Sequence, residues 1–203
     1  MEEGFFMYIT YSHFTLIIPV GDLSDSKVDI LKQTLNDYLE INRPNPQTIT
    51  FRNGSSILTV QPNLIFFTAI EKDASEINIE NISNELIKVK NSLGLSQPYQ
   101  IQMILEGIEK SQENIMGKSK VPIPEAAKAL DAVGIGYRFI LNYNDFTGNA
   151  HINPYIEDKQ KIIYNVDFLS KKTYQNEDMK SIFNQLFTLA TSNTQEAAKK
   201  IFT

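Results

Sequence analysis

Cysteine is absent from the chain, and its absence excludes several kinds of chemistry at once. A protein without thiols has no disulfides, no thiolate ligands for zinc and no thiol nucleophile. Histidine is scarce as well, since only His13 and His151 occur, far apart in the sequence. We interpret His13, within an apolar strand, as a buried structural residue and His151 as a residue beside a turn. This spacing predicts neither a histidine metal site nor a His-based catalytic triad.

Long apolar runs and an excess of basic residues are also missing. No stretch approaches the roughly 20 apolar residues that span a membrane. The chain starts Met-Glu-Glu-Gly, without the basic n-region of a signal peptide, so we expect a cytoplasmic protein. The net charge of −5, from 24 acidic and 19 basic residues, argues against a dedicated nucleic-acid binder. Abundant Asn, Ile and Lys are compatible with the AT-rich genome of a bacterium or its phage.

Apolar and aromatic residues, by contrast, are sufficient for a packed core. Hydrophobic residues make up 42% of the chain, and 12 Phe and 9 Tyr supply much of the bulk in the absence of Trp. Charged residues make up an ordinary 21%. This composition predicts a folded protein rather than a disordered one.

The pattern of hydrophobic residues is repeated along the chain. Residues 7–95 and 98–203 each show the order strand, helix, three strands, helix. We therefore predict an α+β fold of two β-α-β-β-β-α pseudo-repeats, with mainly antiparallel sheet and helices packed on one face. The boundary near residue 96 divides the chain into 1–96 and 97–203, as two units or as one continuous domain. Whether the halves share one sheet is left open.

In the first half, two local signals position the elements. Ser26 and Asp29 form an approximate capping box for a helix that stops before Arg43. Asn53-Gly54 is the strongest hairpin signal in the chain. The expected elements are strand 7–19, buried on both sides, this helix, strands 47–52, 55–61 and 64–70, and a helix over 79–93 that ends at Gly94.

In the second half, the polar stretch 110–123 predicts a long loop, and long loops are often functional. Pro124 is expected in the first turn of a short helix, and Asn193 with Glu196 forms a capping box for a terminal helix. The other expected elements are strand 99–108, strand 135–143, a turn at 144–149, strands 150–156 and 161–169, and helix 177–191.

Catalytic and cofactor motifs are incomplete. Residues 117–119 (GKS) match the end of a phosphate-binding loop, but Gln112 stands where that motif requires glycine, and prolines follow instead of a helix. Gly134 and Gly136 lack the third glycine of a dinucleotide-binding fingerprint. We therefore predict no cofactor and no metal, and we favour a protein that is not an enzyme. An acid/base hydrolase that uses Asp or Glu is a third alternative.

Arg138 is the most informative charge. It lies with Asn142 on the less apolar face of its predicted strand, and in a groove it would receive an anionic ligand or a partner's carboxylate. Tyr137 and Tyr143 are the candidate aromatic lining of that groove. Asp167 has the same kind of position on its own strand. The alternative is that Arg138 is an ordinary sheet-surface residue and that the tyrosines belong to the core.

Three segments are similar to a family of known sequences. Residues 133–139 (VGIGYRF), residues 165–168 (NVDF) with the closing helix, and residues 59–64 (TVQPNL) resemble a sporadically distributed bacterial family of uncharacterised proteins. Together they cover about a third of the chain, and the order Gly-Tyr-Arg-Phe here departs from the family's usual Gly-Leu-Arg-Tyr. Because that family has no established activity, the resemblance implies the fold only.

Two functions are left open by these observations. The first is a non-enzymatic protein-interaction module that forms a homo-oligomer or binds another protein through sheet edges or loop 110–123. Lys118 and Lys120 in that loop are either partner-binding residues or solvated loop lysines. In a bacterial or phage setting, this module would be an accessory or defence-related inhibitor. The second function is a small-molecule-binding protein with a ligand cleft between the two repeats.

Overall fold

Nine strands hydrogen-bond into one antiparallel sheet within residues 7–119, 125, 131–175 and 178–202, the parts of the chain that the computed structural model describes. The strands are β1 Tyr8–Ile17, β2 Glu40–Asn45, β3 Thr48–Asn53, β4 Ser56–Gln61, β5 Leu64–Asp73, β6 Gln100–Lys110, β7 Tyr137–Tyr143, β8 Phe146–Pro154 and β9 Lys161–Ser170. Their order is β2-β3-β4-β5-β1-β6-β9-β8-β7. Because β1 pairs with β6, one sheet spans both halves of the sequence.

Helices pack on one side of this sheet, which we call the core face. They are α1 Asp25–Thr34, α2 Ile79–Ser92, α3 Ile115–Ser119, α4 Met179–Thr188 and α5 Thr194–Ile201. Phe14 of β1 meets Phe183 of α4 edge-on, with ring centroids 5.3 Å apart. Phe51 of β3 meets Tyr38, which follows α1, in the same way at 6.2 Å. The prediction of an α+β fold with a mainly antiparallel sheet is therefore confirmed.

The opposite side of the sheet, the open face, carries the alternate strand residues, among them His13, Phe66, Ile104, Asp167, Asn149 and Arg138. We predicted that the first strand is buried on both sides. In β1, however, Phe14 is fully buried while His13 is only partly covered. The reason is that no helix within the described ranges packs over this side of β1.

The first helix is shorter than predicted, and an unpredicted strand follows it. Its N-cap is Ser24, whose side chain accepts a hydrogen bond from the backbone of the first turn, and not Ser26. Leu35 and Tyr38 remain buried although they lie beyond the helix, which explains the helical spacing in the sequence. β2 then contains Pro44, a residue that an outer strand tolerates because half of its backbone groups face away from the sheet.

Two turn signals are confirmed. Asn53 and Gly54 connect β3 to β4, and Gly54 adopts a positive φ of 59°. Gly94 follows α2 with a φ of 66°. Glycine adopts this left-handed region without the steric cost of a Cβ, so both positions end their elements as the sequence indicated.

The β7–β8 hairpin is tighter than predicted. The turn comprises only Asn144 and Asp145, and β8 begins at Phe146 instead of near residue 150. Gly148 falls within the turn predicted at 144–149, but it lies within β8. A Cβ at Gly148 would collide with the carbonyl oxygen of Asp167 on β9, so glycine here permits a close approach of two strands.

The chain end is one continuous helical segment rather than two separate helices. α4 passes into α5 through a π-helical turn, Leu189–Asn193. Asn193 has helical dihedral angles and makes no side-chain cap, so the capping box predicted with Glu196 is wrong. The helix expected from Pro124 falls mostly outside the described residues. No helix within the described ranges is long and apolar enough to cross a membrane.

Candidate functional site

Polar side chains form a hydrogen-bonded chain across the open face of β7, β8 and β9. The Arg138 guanidinium donates to Asn149 Oδ1 through Nε at 3.2 Å and through Nη2 at 2.9 Å. The Asn149 amide donates in turn to Asp167 Oδ2 at 3.4 Å. The amide therefore links the cation of Arg138 to the carboxylate of Asp167, and the guanidinium is held by its own sheet.

The centre of the open face is aromatic. The His13 ring lies 4.8 Å from the Tyr11 ring and 4.5 Å from the Phe66 ring, measured between centroids. Burial lowers the pKa of His13 to about 4, so the ring is neutral at pH 7. Burial, and then the charge of Glu106, raise the pKa of Tyr11. His151 lies inside β8, three strand positions from β1, so the two histidines do not form one site.

β7 is an outer strand of the sheet, and its outer side is exposed. Ile140, its middle residue, is 84% exposed, and Phe139 is 38% exposed. A two-residue turn closes the β7–β8 hairpin. In an antiparallel pair after such a turn, the backbone groups of successive residues point alternately towards and away from the partner strand. The N–H and C=O groups of Arg138, Ile140 and Asn142 therefore point away from β8. These groups form the outer edge of the sheet.

β2, the outer strand on the other side, carries features that obstruct pairing. Pro44 removes a backbone donor, and the register with β3 shifts between Asn42 and Asn45. Arg43 is bonded to Asp25 at 3.0 Å, which ties this strand to the start of α1. β7 contains no proline, no lysine and no register shift. The two outer strands of the sheet therefore differ in how well another strand could pair with them.

The residues predicted to bind a ligand or partner do not converge on one groove. Neighbouring residues of a strand point to opposite faces, so Tyr137 and Tyr143 lie on the core-facing side of β7, away from Arg138. Tyr137 stacks beside Phe139 and meets Phe202 edge-on at 6.1 Å. The predicted groove that combines Arg138 with the two tyrosines is therefore not formed.

The remaining predicted residues lie in two other places. Asn142 is exposed on the open face, and its Oδ1 accepts a hydrogen bond from Lys171 Nζ at 2.6 Å. Lys118, in α3, forms an ion pair with Glu113. Lys120 lies outside the described residues. The described part of loop 110–123 contains the short helix α3 and is not structureless.

A cavity of about 280 Å³ opens beside the end of β6 on the core face. Its buried lining includes Ile162, Tyr164 and Phe202, and its exposed lining includes Lys199. The cavity lies within the second half of the chain, between β6, β9 and α5. A ligand in this cavity would not be between the two halves, where the sequence led us to expect a cleft.

Glu109 places a carboxylate among these buried side chains and is only 3% exposed. The Tyr164 hydroxyl donates to Glu109 Oε2 at 2.7 Å, and Gln195 Nε2 donates to the same oxygen at 3.1 Å. Burial, and then the charge of Glu109, raise the pKa of Tyr164. The tyrosine therefore remains a hydrogen-bond donor at neutral pH.

Sequence reasoning missed Glu109, although the alternation of β6 contained the signal. Ile101 and Met103 lie on the buried side of this strand, and Glu109 continues the same alternation. A charge at such a position indicates a specific role or a specific partner. Tyr164 and Gln195 are distant in sequence from Glu109, and only the strand order and helix packing bring them to it.

Within the described residues, no group of three or more histidine and acidic side chains is placed to hold a metal ion. No family model, curated protein or solved structure matches the chain. The resemblance of three segments to a sporadically distributed bacterial family therefore stays a prediction.

Proposed function

We propose that the protein is a non-enzymatic protein-interaction module that pairs with a second copy of itself through the outer edge of β7. The observation that carries this proposal is the 84% exposure of Ile140 beside backbone groups that point away from the sheet. Natural outer strands are commonly obstructed by proline, lysine, bulges or a covering element, as β2 is by Pro44 and its register shift. None of these features obstructs β7 within the described residues, and an outer strand of seven residues of this kind is suited to strand addition.

The sequence of β7 is self-complementary in an antiparallel pair. A two-fold axis at Ile140 places this residue opposite its own counterpart, Arg138 opposite Asn142, and Phe139 opposite Leu141. No like charges face each other directly, and apolar residues pair with apolar residues. A two-fold pair of this kind uses the same surface on both copies, as most homodimers do.

The Arg138 side chain supports this arrangement. Its guanidinium is bonded to Asn149, which lies on β8 directly opposite Ile140. The charge is therefore drawn inward over the sheet and away from the outer edge. A second strand can approach β7 without displacing or desolvating that charge at the contact.

We further propose that residues 1–96 and 97–203 are pseudo-repeats that meet at the β1–β6 pair. Outward from that pair, the first half places β5, β4 and β3, and the second half places β9, β8 and β7. β2 has no counterpart in this scheme. An alignment of homologous sequences in which one half matches the other in this strand order would support the proposal. An alignment in another order would contradict it.

The cellular role that we propose is an accessory or defence-related inhibitor in the cytoplasm of a bacterium or its phage. Composition alone supports this setting. If the Ile140→Lys variant binds the same partner proteins as the wild type and gives the same phenotype, the β7 edge has no part in that role.

Size-exclusion chromatography with light scattering over a range of concentrations tests the self-pairing. We expect the wild type to have the mass of two chains and the Ile140→Lys variant the mass of one, because the two-fold pair would place two lysine charges directly opposite each other. The matched control is Leu39→Lys, since Leu39 is 82% exposed but lies beside β2. This control should remain a dimer with an unchanged melting temperature.

Two results would contradict the proposal. One is a wild type that stays a monomer at every concentration. The other is an Ile140→Lys variant that dimerises as strongly as the wild type. A second protein that binds the wild type and not the Ile140→Lys variant would show that the edge is used by a different occupant.

A further inference from the structure

The cavity beside Glu109 combines an apolar wall with a single buried carboxylate. Ile162, Ala198 and Phe202 are each at most 4% exposed and line the cavity. Its volume of about 280 Å³ is close to the lower end of the range for small-molecule sites. Size and lining therefore suit a small organic molecule with an apolar body and one polar end.

The two oxygens of the Glu109 carboxylate differ in their partners. The hydrogen bonds from Tyr164 and Gln195 both go to Oε2. No buried side-chain nitrogen or oxygen of the described residues lacks a partner. Oε1 accepts no hydrogen bond from the described residues. It therefore cannot be fully buried, and some of its surface is accessible. Glu109 is part of the cavity lining. The cavity is therefore where Oε1 can accept a donor.

Both protein groups that bond this carboxylate are neutral. A hydroxyl and an amide satisfy hydrogen-bonding capacity but supply no positive charge. No cation of the described residues forms an ion pair with Glu109. A carboxylate in an apolar environment is costly unless a positive charge compensates it. Lys199 lines the exposed part of the cavity and forms no ion pair with Glu109 among the described residues, so the buried carboxylate leaves a place for a cation that carries N–H donors.

We propose that this cavity binds a small organic ammonium ion. Its N–H groups donate to Glu109 Oε1, and its apolar part packs on Ile162, Ala198 and Phe202. A charge-assisted hydrogen bond of this type is stronger than a neutral one, and more so in a poorly solvated site. This ligand differs in charge and in place from the anionic ligand expected at Arg138. The proposal is independent of pairing through β7.

A titration of the full-length wild type with three probes of equal chain length tests the charge of the ligand. The probes are n-pentylammonium, n-pentanol and pentanoate at pH 7, followed by amide chemical shifts. We expect pentylammonium to bind about tenfold more tightly than pentanol, with shifts near Ser111 and Ile115, and pentanoate not to bind. Equal affinity for the ammonium and the alcohol, or no binding of the ammonium, would overturn the proposal.

Variants test the role of the carboxylate. Glu109→Gln should lower the affinity for pentylammonium at least about tenfold and leave pentanol binding unchanged. Glu106→Gln is the matched control, because Glu106 lies on the same strand but on the open face, where it accepts a hydrogen bond from Asn165. This control should bind like the wild type. Unchanged pentylammonium affinity in Glu109→Gln contradicts the proposal.

A third variant tests the proposal even if Glu109→Gln does not fold. Ala198→Leu adds volume to the cavity wall from α5 and keeps the carboxylate. We expect it to lose pentylammonium binding while circular dichroism remains that of the wild type. A folded Ala198→Leu variant that binds pentylammonium as tightly as the wild type would place the ligand outside this cavity and overturn the assignment.

Discussion

Arg138 and Asn149 form a diagonal pair across β7 and β8. The residue directly opposite Asn149 is Ile140, yet Asn149 Oδ1 accepts hydrogen bonds from both Nε and Nη2 of Arg138. Asp167 on β9 completes this arrangement through the amide. The pair keeps the one charge of β7 over the sheet, so the exposed centre of this edge is Ile140 and not Arg138.

We expect Arg138 and Asn149 to be energetically coupled. A double-mutant cycle of Arg138→Ala and Asn149→Ala should give an interaction of about 0.5–1 kcal/mol, because the bonded groups are partly exposed to water. The measurement is urea unfolding at one protein concentration. Additive effects of the two substitutions would show that the diagonal hydrogen bonds contribute nothing to stability.

Gly148 should be intolerant of a side chain. A Cβ there would collide with the carbonyl oxygen of Asp167 and crowd the ring of Phe168. We expect Gly148→Ala to lower the free energy of unfolding by about 1–3 kcal/mol, the usual cost of overpacking. Thr147→Ala, at the exposed neighbouring position in β8, should cost less than about 0.5 kcal/mol. Similar losses in both variants would contradict the close-approach explanation.

The order of elements was largely predictable from hydrophobic periodicity, and the errors have local causes. The turn predicted at 144–149 was too long, because the sequence does not show that Gly148 lies in a strand that β9 passes closely. The strand that contains Pro44 was not predicted, because proline inside a strand is tolerated mainly at the edge of a sheet, and the edge is a property of the whole fold. Asn193 indicated a cap because the π turn that carries the chain through it leaves no pattern in the sequence.

The candidate sites were less predictable than the fold. Alternation along β7 places Arg138 and Tyr137 on opposite faces, which argued against the groove predicted from both, and no local pattern showed that β7 lies at the edge. Glu109 could have been found, since it occupies a buried position of β6. The donors that reach Glu109 come from β9 and α5, and no local pattern reports contacts between residues so far apart in the chain.

His13 should make stability depend on pH. Its pKa is about 4 in the folded protein and 6.5 in the unfolded chain, so only the unfolded chain takes up this proton between those values. Stability is therefore lost as the pH falls from 6.5 to 4. Since the ring is partly exposed, we expect a contribution of about 1–2 kcal/mol. His13→Phe keeps an aromatic ring and should remove this part of the dependence.

Urea unfolding at pH 7 and pH 4.5 makes that comparison. Carboxylates that titrate in the same interval contribute to both proteins, so the difference between wild type and His13→Phe isolates His13. Identical losses of stability in the two proteins would show that His13 is not the responsible group.

Proline in β7 should separate pairing with a second copy from pairing with β8. The N–H of Ile140 points outward, so Ile140→Pro removes a donor for the second copy only. We expect this variant to be a folded monomer. Leu141→Pro is the comparison, because its N–H points towards Gly148 on β8, and it should cost about 3 kcal/mol or more of stability. Sedimentation velocity and thermal unfolding report the two effects separately, and a dimeric Ile140→Pro variant would exclude backbone pairing at this position.

Hydrogen exchange at the backbone amides of Arg138, Ile140 and Asn142 tests self-pairing through β7 most directly. These three amides have no partner among the described residues, so we expect protection of them to come from a second strand that lies beside them. We expect their exchange to slow as the protein concentration rises, while the amides of Phe139 and Leu141 are protected by β8 at every concentration. Rapid exchange of all three outward amides, at concentrations where the protein is a dimer, would contradict the proposed β7 interface.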